Sequence, residues 1–400
     1  MTLVVVGAGL AGAKAAEAAR AAGYDGRVVL VGDEASPPYE RPPLSKQVLR
    51  GEKPAESARV HDEGFYDEQS IELRTGQRVE ELDVGARTVH VGDEVVPYDS
   101  IVLATGARPR RLDVPGADLE GTHYLRTVED SARLGEAIKG ASRIAVIGGS
   151  WIGSEVAASA RQLGAEVVMI EPSPTPLFGV LGGEIGQSFA QLHRDHGVSL
   201  RMGIGVSALQ GSGHVDGVVL EDGSIESADL VVIGVGALPN TELAEKAGLK
   251  VDNGVVVDER LIAVPGVLAT GDVASAYHPR YGRHVRVEHW ANALNQGQAA
   301  GRNAVSEPEV YDRLPYFYSD QYDLGLEYVG LGGKEDDVTV RGDREGLKFL
   351  AFYHRDGRVT AALTVNVWDV VDDLKAIITA GRELDPKQLA DEDVPLSDLS

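Results

Sequence analysis

The feature that most constrains this chain is a glycine loop near its amino terminus, in the stretch LVVVGAGLAGAKAAEAARAAG. Gly7, Gly9 and Gly12 follow an apolar β-branched run and precede an alanine-rich stretch of helical character. This spacing predicts a tight strand-to-helix turn whose backbone N–H groups bind a pyrophosphate at the helix amino terminus. Asp33 follows the next apolar run, RVVLV, as the dinucleotide-binding pattern requires. A glycine-rich packing turn is the alternative interpretation.

A second loop of the same kind occurs at residues 148–157, GGSWIGSEVA. Gly148 and Gly153 fit the pattern, but Ser150 replaces the middle glycine, where its side chain either crowds a pyrophosphate or donates to it. The next apolar run, AEVVMI, ends at Glu171, whose carboxylate suits a ribose hydroxyl and repels a 2′-phosphate. We therefore expect NADH rather than NADPH at this loop. A solvated acid at the end of a strand is the alternative for Glu171.

The order of the apolar runs indicates the fold class. Up to about residue 312, β-branched runs alternate with helical or glycine-rich segments, which predicts α/β structure with parallel sheets. Beyond that point the sequence predicts antiparallel strands, with HRDG as a hairpin turn, and then a helix in VWDVVDDLKAIITAG. The predicted fold class is α/β, with two Rossmann-like dinucleotide-binding domains and a C-terminal α+β domain.

The composition excludes several kinds of chemistry. The chain has no cysteine, which excludes structural disulfides, thiolate metal sites and a redox-active dithiol. His278, His284 and His289 lie close in sequence but lack the spacing of a helical metal pair, so no metal site is predicted. A net charge of −24 repels nucleic acid and anionic membranes. Neither a transmembrane helix nor a signal peptide is expected, because Lys14 interrupts the apolar amino terminus, and we infer a cytoplasmic protein.

Two segments share the form of a strand followed by Ala-Thr-Gly: IVLATGARPRRL at residues 101–112 and GVLATGDVASA at residues 266–276. Such strands bring the backbone close to a bound dinucleotide at Gly106 and Gly271, and Asp272 is placed to accept from ribityl or ribose hydroxyls. A helix N-cap is the alternative role for Asp272. With these segments the chain resembles the two-dinucleotide-fold flavoprotein reductases, in which they complete an FAD domain around an inserted NAD domain, a glutathione reductase-like arrangement.

Three further stretches narrow the resemblance to the oxygenase-coupled, NADH-dependent ferredoxin reductase family: YERPPLSKQVL, VEHWANALNQGQAAGRNA and PYFYSDQYDLGLEYVG. The matches run in the same order over nearly the whole chain. The resemblance implies FAD and NADH as cofactors, a [2Fe–2S] ferredoxin as electron acceptor, and a cytochrome P450 or ring-hydroxylating dioxygenase downstream. A rubredoxin reductase and an NADH-responsive flavoprotein of the apoptosis-inducing-factor type are the alternatives.

The resemblance also implies domain boundaries. The predicted FAD-binding domain comprises residues 1–113 and 239–311, and the NAD-binding domain comprises residues 114–238. Residues 312–400 form the predicted C-terminal α+β domain. The sequence leaves open which ferredoxin or oxygenase is served, what the terminal substrate is, and whether the protein is a monomer or a weak dimer.

Roles for individual side chains follow from the same resemblance. Lys46 is expected near the flavin N5, paired with Glu155, and Trp290 beside the flavin; these three are the predicted catalytic residues. The alternatives are a solvent-exposed Lys46, a Glu155 that merely favours its helix amino terminus, and a Trp290 that packs in the core. The predicted cofactor-binding residues are Gly7, Gly9, Leu10, Ala11, Gly12, Asp33, Arg41, Lys46, Ala104, Thr105, Gly106, Arg110, Gly148, Gly149, Ser150, Trp151, Ile152, Gly153, Glu171, Gly236, Gly271, Asp272, Glu288, His289 and Trp290.

Two further features bear on electron transfer. The family usually has Trp where this chain has Tyr318, which puts in doubt an electron path through an indole and leaves Phe317 or Tyr318 as an aromatic wall. Residues 277–303 carry four arginines and one acid in an otherwise acidic chain. We expect a docking patch for an acidic ferredoxin there, and a solvated loop is the alternative. The arginines of this predicted patch are Arg280, Arg283, Arg286 and Arg302.

Overall fold

The structure is a computed structural model that describes all 400 residues. Its internal contacts divide the chain into two compact units, each assembled from three separate pieces of sequence. The first unit consists of Met1–Arg41, Ala55–Arg108 and Ala237–Pro315. The second unit consists of Pro42–Pro54, Pro109–Gly236 and Tyr316–Ser400.

Strands and helices alternate along most of the chain. The strands are β1 (Thr2–Val6), β2 (Arg27–Val31), β3 (Ile71–Arg74), β4 (Val79–Asp83), β5 (Thr88–Val91), β6 (Glu94–Pro97), β7 (Ser100–Leu103), β8 (Ala107–Pro109), β9 (Thr122–His123), β10 (Arg143–Ile147), β11 (Glu166–Glu171), β12 (Val198–Met202), β13 (Val206–Gly211), β14 (Val215–Leu220), β15 (Ile225–Ser227), β16 (Leu230–Ile233), β17 (Ala237–Pro239), β18 (Val255–Val257), β19 (Ile262–Val264), β20 (Val267–Ala269), β21 (Ala274–His278), β22 (Arg283–Val285), β23 (Tyr316–Gln321), β24 (Leu324–Gly330), β25 (Asp337–Asp343), β26 (Lys348–Arg355) and β27 (Arg358–Val365). The helices are α1 (Leu10–Ala21), α2 (Phe65–Glu68), α3 (Val128–Gly140), α4 (Trp151–Gln162), α5 (Phe178–Asp195), α6 (Glu242–Lys246), α7 (Trp290–Asn303), α8 (Val371–Ala380) and α9 (Pro386–Ala390).

The first unit is built around a six-stranded sheet of order β19-β20-β7-β1-β2-β3. The central strand β1 pairs in parallel with β2 and β7, and its residues Leu3, Val4 and Val5 are completely buried. Continuous apolar runs are typical of parallel strands covered on both faces. Helices α1 and α7 approach closely at Gly301, where a Cβ atom would collide with the carbonyl oxygen of Ala15.

The second unit contains a parallel five-stranded sheet of order β12-β11-β10-β16-β9. Strand β10 leads through the second glycine loop into α4 and then β11, which pairs in parallel with β10. Both sheets carry the strand–loop–helix–strand unit that binds dinucleotides, so the α/β prediction with two such folds is confirmed.

The carboxyl-terminal part of the second unit is an antiparallel sheet of order β23-β24-β27-β26-β25. The hairpin predicted at HRDG is confirmed, because β26 and β27 pair through a turn at Asp356 and Gly357. The sheet shares one hydrophobic core with α5, in which Leu181 and Phe189 pack with Phe349. No helix of the structure is both long enough and apolar enough to cross a membrane.

Candidate active site

The first glycine loop has the backbone geometry that a dinucleotide phosphate needs. Gly7 has a φ of +109°, and a Cβ atom there would collide with the carbonyl oxygen of Ala104. A Cβ atom at Gly12 would collide with the carbonyl oxygen of Gly7, so this glycine lets α1 pack against the loop. At Gly9, by contrast, nothing lies within 4 Å of the Cβ position, and no side chain caps the helix. The open space at the amino terminus of α1 therefore fits a pyrophosphate. The neighbouring predicted residues, Leu10 and Ala11, begin this helix.

The two Ala-Thr-Gly segments lie beside this loop. Ala104 donates its N–H to the carbonyl oxygen of Val6 at 2.7 Å, and β7 and β20 are paired neighbours in the sheet. Gly106 and Gly271 have φ values of +66° and +72°, which glycine adopts without strain. The Gly271 N–H donates to Oε1 of Gln296 at 3.1 Å. Gln296 is buried in α7 and was not predicted, since a polar residue within a helix carries no local signal of its partner.

Asn240 is a second residue that sequence reasoning missed. Its side-chain amide donates to the carbonyl oxygen of Thr105 at 2.8 Å, and its N–H donates to the carbonyl oxygen of Gly106 at 2.9 Å. The hydroxyl of Thr105 donates in turn to the Asn240 carbonyl oxygen at 2.7 Å. Three hydrogen bonds therefore hold the first Ala-Thr-Gly segment in place.

At the end of β2, the acid held in place by side-chain contacts is Glu34. Arg41 donates to Oε1 of Glu34 at 2.7 Å, and the Tyr39 hydroxyl donates to Oε2. Asp33 is exposed in this structure. Asp33 was the predicted cofactor-binding residue of this pair of acids, whereas the carboxylate that Arg41 fixes is that of Glu34.

Arg286 lies next to Asp272, and its side chain is used in contacts within the protein. Its guanidinium donates to the carbonyl oxygen of Asp272 at 3.1 Å and pairs with Glu288, and its side chain is only 12% exposed. His289, the residue before α7, is partly buried, and this burial lowers its pKa to about 4, although the Asp272 charge opposes the shift. His289 is therefore neutral at neutral pH. Trp290 is the first residue of α7 and is partly exposed.

In the second glycine loop, Ser150 is the N-cap residue of α4. Its hydroxyl donates to the carbonyl oxygen of Gly234 at 2.8 Å and accepts from the N–H of Gly153 at 3.4 Å. The side chain thus caps α4 and is used in hydrogen bonds within the protein. A Cβ atom at Gly153 would collide with the carbonyl oxygen of Gly148, as the dinucleotide-binding loop requires.

Glu171 is held at the end of β11 by two backbone groups. Its Oε2 accepts from the N–H of Gly149 at 2.7 Å, and its Oε1 accepts from the N–H of Ser173 at 2.8 Å. Each carboxylate oxygen can accept a second hydrogen bond, so the group fits two ribose hydroxyls. Two other predicted cofactor-binding residues are bonded to each other: the N–H of Arg110 donates to the carbonyl oxygen of Gly236 at 2.9 Å.

The first residues of α4 present an apolar surface. Ile152 is 40% exposed, which is unusual for a large apolar side chain. Trp151 packs edge-to-face on Phe317, with ring centroids 4.7 Å apart. Phe317 is buried and also stacks on Tyr328, with centroids 5.1 Å apart, so it belongs to the core. Tyr318 follows it on the strand, points to the opposite face and is partly exposed.

Lys46 and Glu155 form a buried ion pair in the second unit. The Lys46 Nζ lies 2.7 Å from Oε2 of Glu155, and the two side chains are 6% and 8% exposed. The Ser45 hydroxyl donates to Oε2 at 2.5 Å, and the Ser319 hydroxyl donates to Oε1 at 2.6 Å. Removing charges from water is costly unless they are paired and hydrogen-bonded, and here both conditions are met. The structure brings together the two residues whose pairing the resemblance implied.

The two serines were not predicted, although each lies within a stretch that carried the resemblance. The segment that holds Lys46 is tied to neighbouring helices. The Ser159 hydroxyl in α4 donates to the carbonyl oxygen of Ser45 at 2.7 Å, and the Ser131 hydroxyl in α3 donates to that of Leu44 at 2.8 Å. These bonds fix the backbone from which Lys46 reaches Glu155.

Two nucleotide-binding loops, one in each unit, define a flavoprotein oxidoreductase of the two-dinucleotide-fold class. The family model described as pyridine nucleotide-disulphide oxidoreductase matches residues 1–297, and the model described as reductase C-terminal matches residues 316–400. The chain is 40% identical to the ferredoxin–NAD(+) reductase component of the anthranilate 1,2-dioxygenase system of Burkholderia cepacia, with 98% of each chain covered. It is 37% identical to rhodocoxin reductase of Rhodococcus erythropolis, covering 99% of this chain and 93% of that one.

Solved structures agree with these relatives. The ferredoxin reductase of the CYP199A2 system from Rhodopseudomonas palustris superimposes with a TM-score of 0.95 at 36% identity, over 99% of both chains. The structure of a covalent putidaredoxin reductase–putidaredoxin complex also matches with a TM-score of 0.95, at 37% identity over 100% of this chain and 97% of that one. The chain belongs to the family of FAD- and NADH-dependent ferredoxin reductases.

Proposed function

We propose that this protein takes a hydride from NADH onto FAD and passes single electrons to a [2Fe–2S] ferredoxin, which supplies a cytochrome P450 or a ring-hydroxylating dioxygenase. The supporting observation is a full-length match to ferredoxin reductase components in a chain that has no cysteine. Without a dithiol, electrons cannot pass through a protein disulfide on their way out. The cytoplasm, where NADH is supplied, stays the predicted location, and a monomer or weak dimer stays the predicted state.

Each glycine loop is assigned one of the two cofactors. The loop at Gly7, Gly9 and Gly12 binds the pyrophosphate of FAD, because the amino terminus of α1 is open there. The loop at residues 148–153 binds NADH, with Glu171 accepting from the ribose hydroxyls. A 2′-phosphate would face the Glu171 carboxylate and be repelled, so NADPH is the poorer donor.

The proposed task of the Lys46–Glu155 pair is to place fixed charge beside the flavin. When bound, flavin accepts a hydride at N5 and gives up electrons one at a time. Lys46 and the hydroxyls of Ser45 and Ser319 surround the Glu155 carboxylate and hold it in one orientation. Glu155 in turn holds the Lys46 ammonium in position, so the protein contributes orientation and electrostatics.

The proposed ferredoxin-docking patch changes in one respect. Arg280, Arg283 and Arg302 are exposed, whereas the guanidinium of Arg286 is used inside the protein. We therefore place docking on Arg280, Arg283 and Arg302 alone. Reversing charge with Arg280→Glu and Arg283→Glu should raise the KM for ferredoxin while NADH–ferricyanide turnover stays unchanged. Arg78→Glu, at another exposed arginine of the same unit, is the matched control. Equal losses in both assays would reject the docking role.

The overall function is tested by a coupled assay. NADH, the protein, cytochrome c and each of several small [2Fe–2S] ferredoxins are combined, and cytochrome c reduction is followed with and without ferredoxin. At least one ferredoxin should accelerate the reduction strongly. If every ferredoxin leaves the rate at its ferredoxin-free value while NADH still reduces the flavin, the NADH-responsive signalling alternative is favoured instead.

A further inference from the structure

A pocket of about 300 Å³ in the second unit reaches the buried Lys46–Glu155 pair from the outside. One wall is a single face of α4. Its residues Glu155, Ala158, Ser159 and Gln162 have the spacing of neighbours on one side of a helix. The pocket therefore follows α4 for about 10 Å from Glu155, in the direction away from the glycine loop at the start of the helix.

The opposite wall comes from the β23–β24 hairpin. Asp320 lies directly opposite Gly325 in the strand pairing, so the two residues point to the same face. The Asp320 Oδ1 lies 3.3 Å from the position that a Cβ atom of Gly325 would take, and the Trp368 ring occupies the same space. Glycine at position 325 thus leaves room for both groups. Trp368 is 53% exposed and lies at the outer part of the pocket.

The reaction of the proposed function requires a proton to leave the active site, and this pocket offers a route for it. Flavin that has received a hydride must release a proton as its two electrons leave. A buried site must export that proton on every cycle, or charge accumulates where it is costly. The Lys46–Glu155 pair lies where the family resemblance places the flavin N5, yet both side chains are almost closed to bulk water. The pocket provides volume for about ten water molecules beside the pair.

We propose that this pocket is the exit route for the proton that leaves with the electrons, and that Asp320 receives it from the Lys46–Glu155 pair and delivers it to solvent. The proposal rests on the proposed function. The Lys46 ammonium first gives a proton to Oε2 of Glu155, which lies 2.7 Å away, and the resulting neutral amine then accepts the proton that leaves the flavin. Glu155 passes this proton to the Asp320 carboxylate through the pocket, and the pair returns to its charged form. The two electrons go to the one-electron acceptor, so charge and atoms balance.

The electrostatics of the pocket suit this role. Partial burial raises the pKa of Asp320, the Lys46 charge lowers it, and the Glu155 charge raises it, with a net upward shift. A carboxyl group with a raised pKa accepts a proton more readily and still releases it to water. The other charged groups in the pocket are Arg50 and Asp323. Arg50 is paired with Glu52 at 2.7 Å and donates to Ser159 at 3.3 Å.

The test follows proton release separately from electron loss. FAD-loaded protein is reduced with one equivalent of NADH and mixed with ferricyanide in weakly buffered solution that contains a pH-indicator dye. Flavin absorbance reports electron loss, and the dye reports one proton for every two ferricyanide ions reduced. In the unmutated protein the proton should appear together with the electron loss. In Asp320→Asn it should lag by about tenfold or more, the usual size of a lost proton-transfer group.

Three comparisons make the result specific. Formate or azide, small carriers that can enter the pocket, should remove the lag of Asp320→Asn, and Asp320→Glu should remove most of it. Asp323→Asn makes the same charge change in the same pocket and should release its proton as the unmutated protein does. Prompt release in Asp320→Asn, or an equal lag in Asp323→Asn, would overturn the proposal. This test uses ferricyanide as the acceptor and does not depend on a ferredoxin. If no ferredoxin accepts electrons in the coupled assay, the proposed function is rejected, but the proton-release test still gives its own answer.

Discussion

The ammonium of Lys46 lies 2.7 Å from the carboxylate of Glu155, and two serine hydroxyls complete the surroundings of that carboxylate. Both charges are almost fully buried, so each depends on the other. We expect Glu155→Gln to lower the free energy of unfolding by about 3–5 kcal/mol, because it leaves a buried ammonium without a counter-charge. Denaturant unfolding of the FAD-loaded protein measures the loss.

The double variant Lys46→Met/Glu155→Gln supplies the control for this prediction. Removing both charges should recover part of the stability that the single change loses, since no unpaired charge remains. If the losses measured for Lys46→Met alone and Glu155→Gln alone simply add in the double variant, the pair is not coupled and the interpretation is wrong.

Glu171 should control the choice of nicotinamide cofactor. Glu171→Ala removes the proposed ribose acceptor and the contacts to the N–H groups of Gly149 and Ser173. We expect the Kd for NADH to rise about tenfold to a hundredfold, the value of one or two hydrogen bonds to a charged group. The Kd for NADPH should rise less than the Kd for NADH, because the variant also removes the repulsion between Glu171 and the 2′-phosphate. Glu166→Ala, at the exposed start of the same strand, should bind NADH normally.

We expect Ser150→Ala to lower stability and to leave the affinity for the cofactor almost unchanged. Its hydroxyl caps α4 and bonds to Gly234, so Ser150→Ala should cost about 1 kcal/mol of stability. The KM for NADH should change less than twofold. Thermal unfolding and steady-state kinetics on the same preparation distinguish the two effects. A large rise in KM with unchanged stability would show that the hydroxyl contacts the nucleotide after all.

The contact of α7 with α1 should tolerate no side chain at Gly301. The Cβ atom of Gly301→Ala would collide with the carbonyl oxygen of Ala15, so we expect a loss of about 1–3 kcal/mol. Because α1 begins at the first glycine loop, FAD should also dissociate more readily on dilution. Gly140→Ala, at the end of α3 with open space around it, should be neutral or slightly stabilising.

His193 should make stability fall in mild acid. Its Nε2 and Nδ1 lie 3.1 Å from Oε1 of Gln321 and from the Tyr322 hydroxyl, and burial lowers its pKa to about 4. The unfolded chain, with a pKa of about 6.5, binds a proton between these values and the folded protein does not. Stability is therefore greatest above pH 6.5 and falls as the pH drops towards 4, by up to about 3 kcal/mol.

The measurement is thermal unfolding as a function of pH. His193→Gln should flatten the decline between about pH 6.5 and 4. The pKa of His289 is also lowered, so His289 should still make stability depend on pH in His193→Gln. His284→Gln, at an exposed histidine, should keep the full decline. An unchanged profile in His193→Gln would contradict this account.

The sequence by itself determined the two nucleotide folds. The glycines of both loops meet local requirements: Gly7 and Gly148 have positive φ, and a Cβ atom at Gly12 or Gly153 would collide with the carbonyl oxygen of the glycine five residues earlier. Apolar runs before each loop and helical stretches after it are equally local signals. The pairing of Lys46 with Glu155 was accessible only through resemblance to a family, because no spacing links residues so far apart in the chain.

Only the tertiary structure decided how the polar side chains are used. Ser45 and Ser319 converge on Glu155 from distant segments, Ser150 turns inward, and Arg286 is committed to an internal ion pair. The same holds for Asp320, whose place in the pocket beside Lys46 depends on how the antiparallel sheet packs within its unit. Residue type tells which bonds a side chain can make, and long-range packing selects among the available partners.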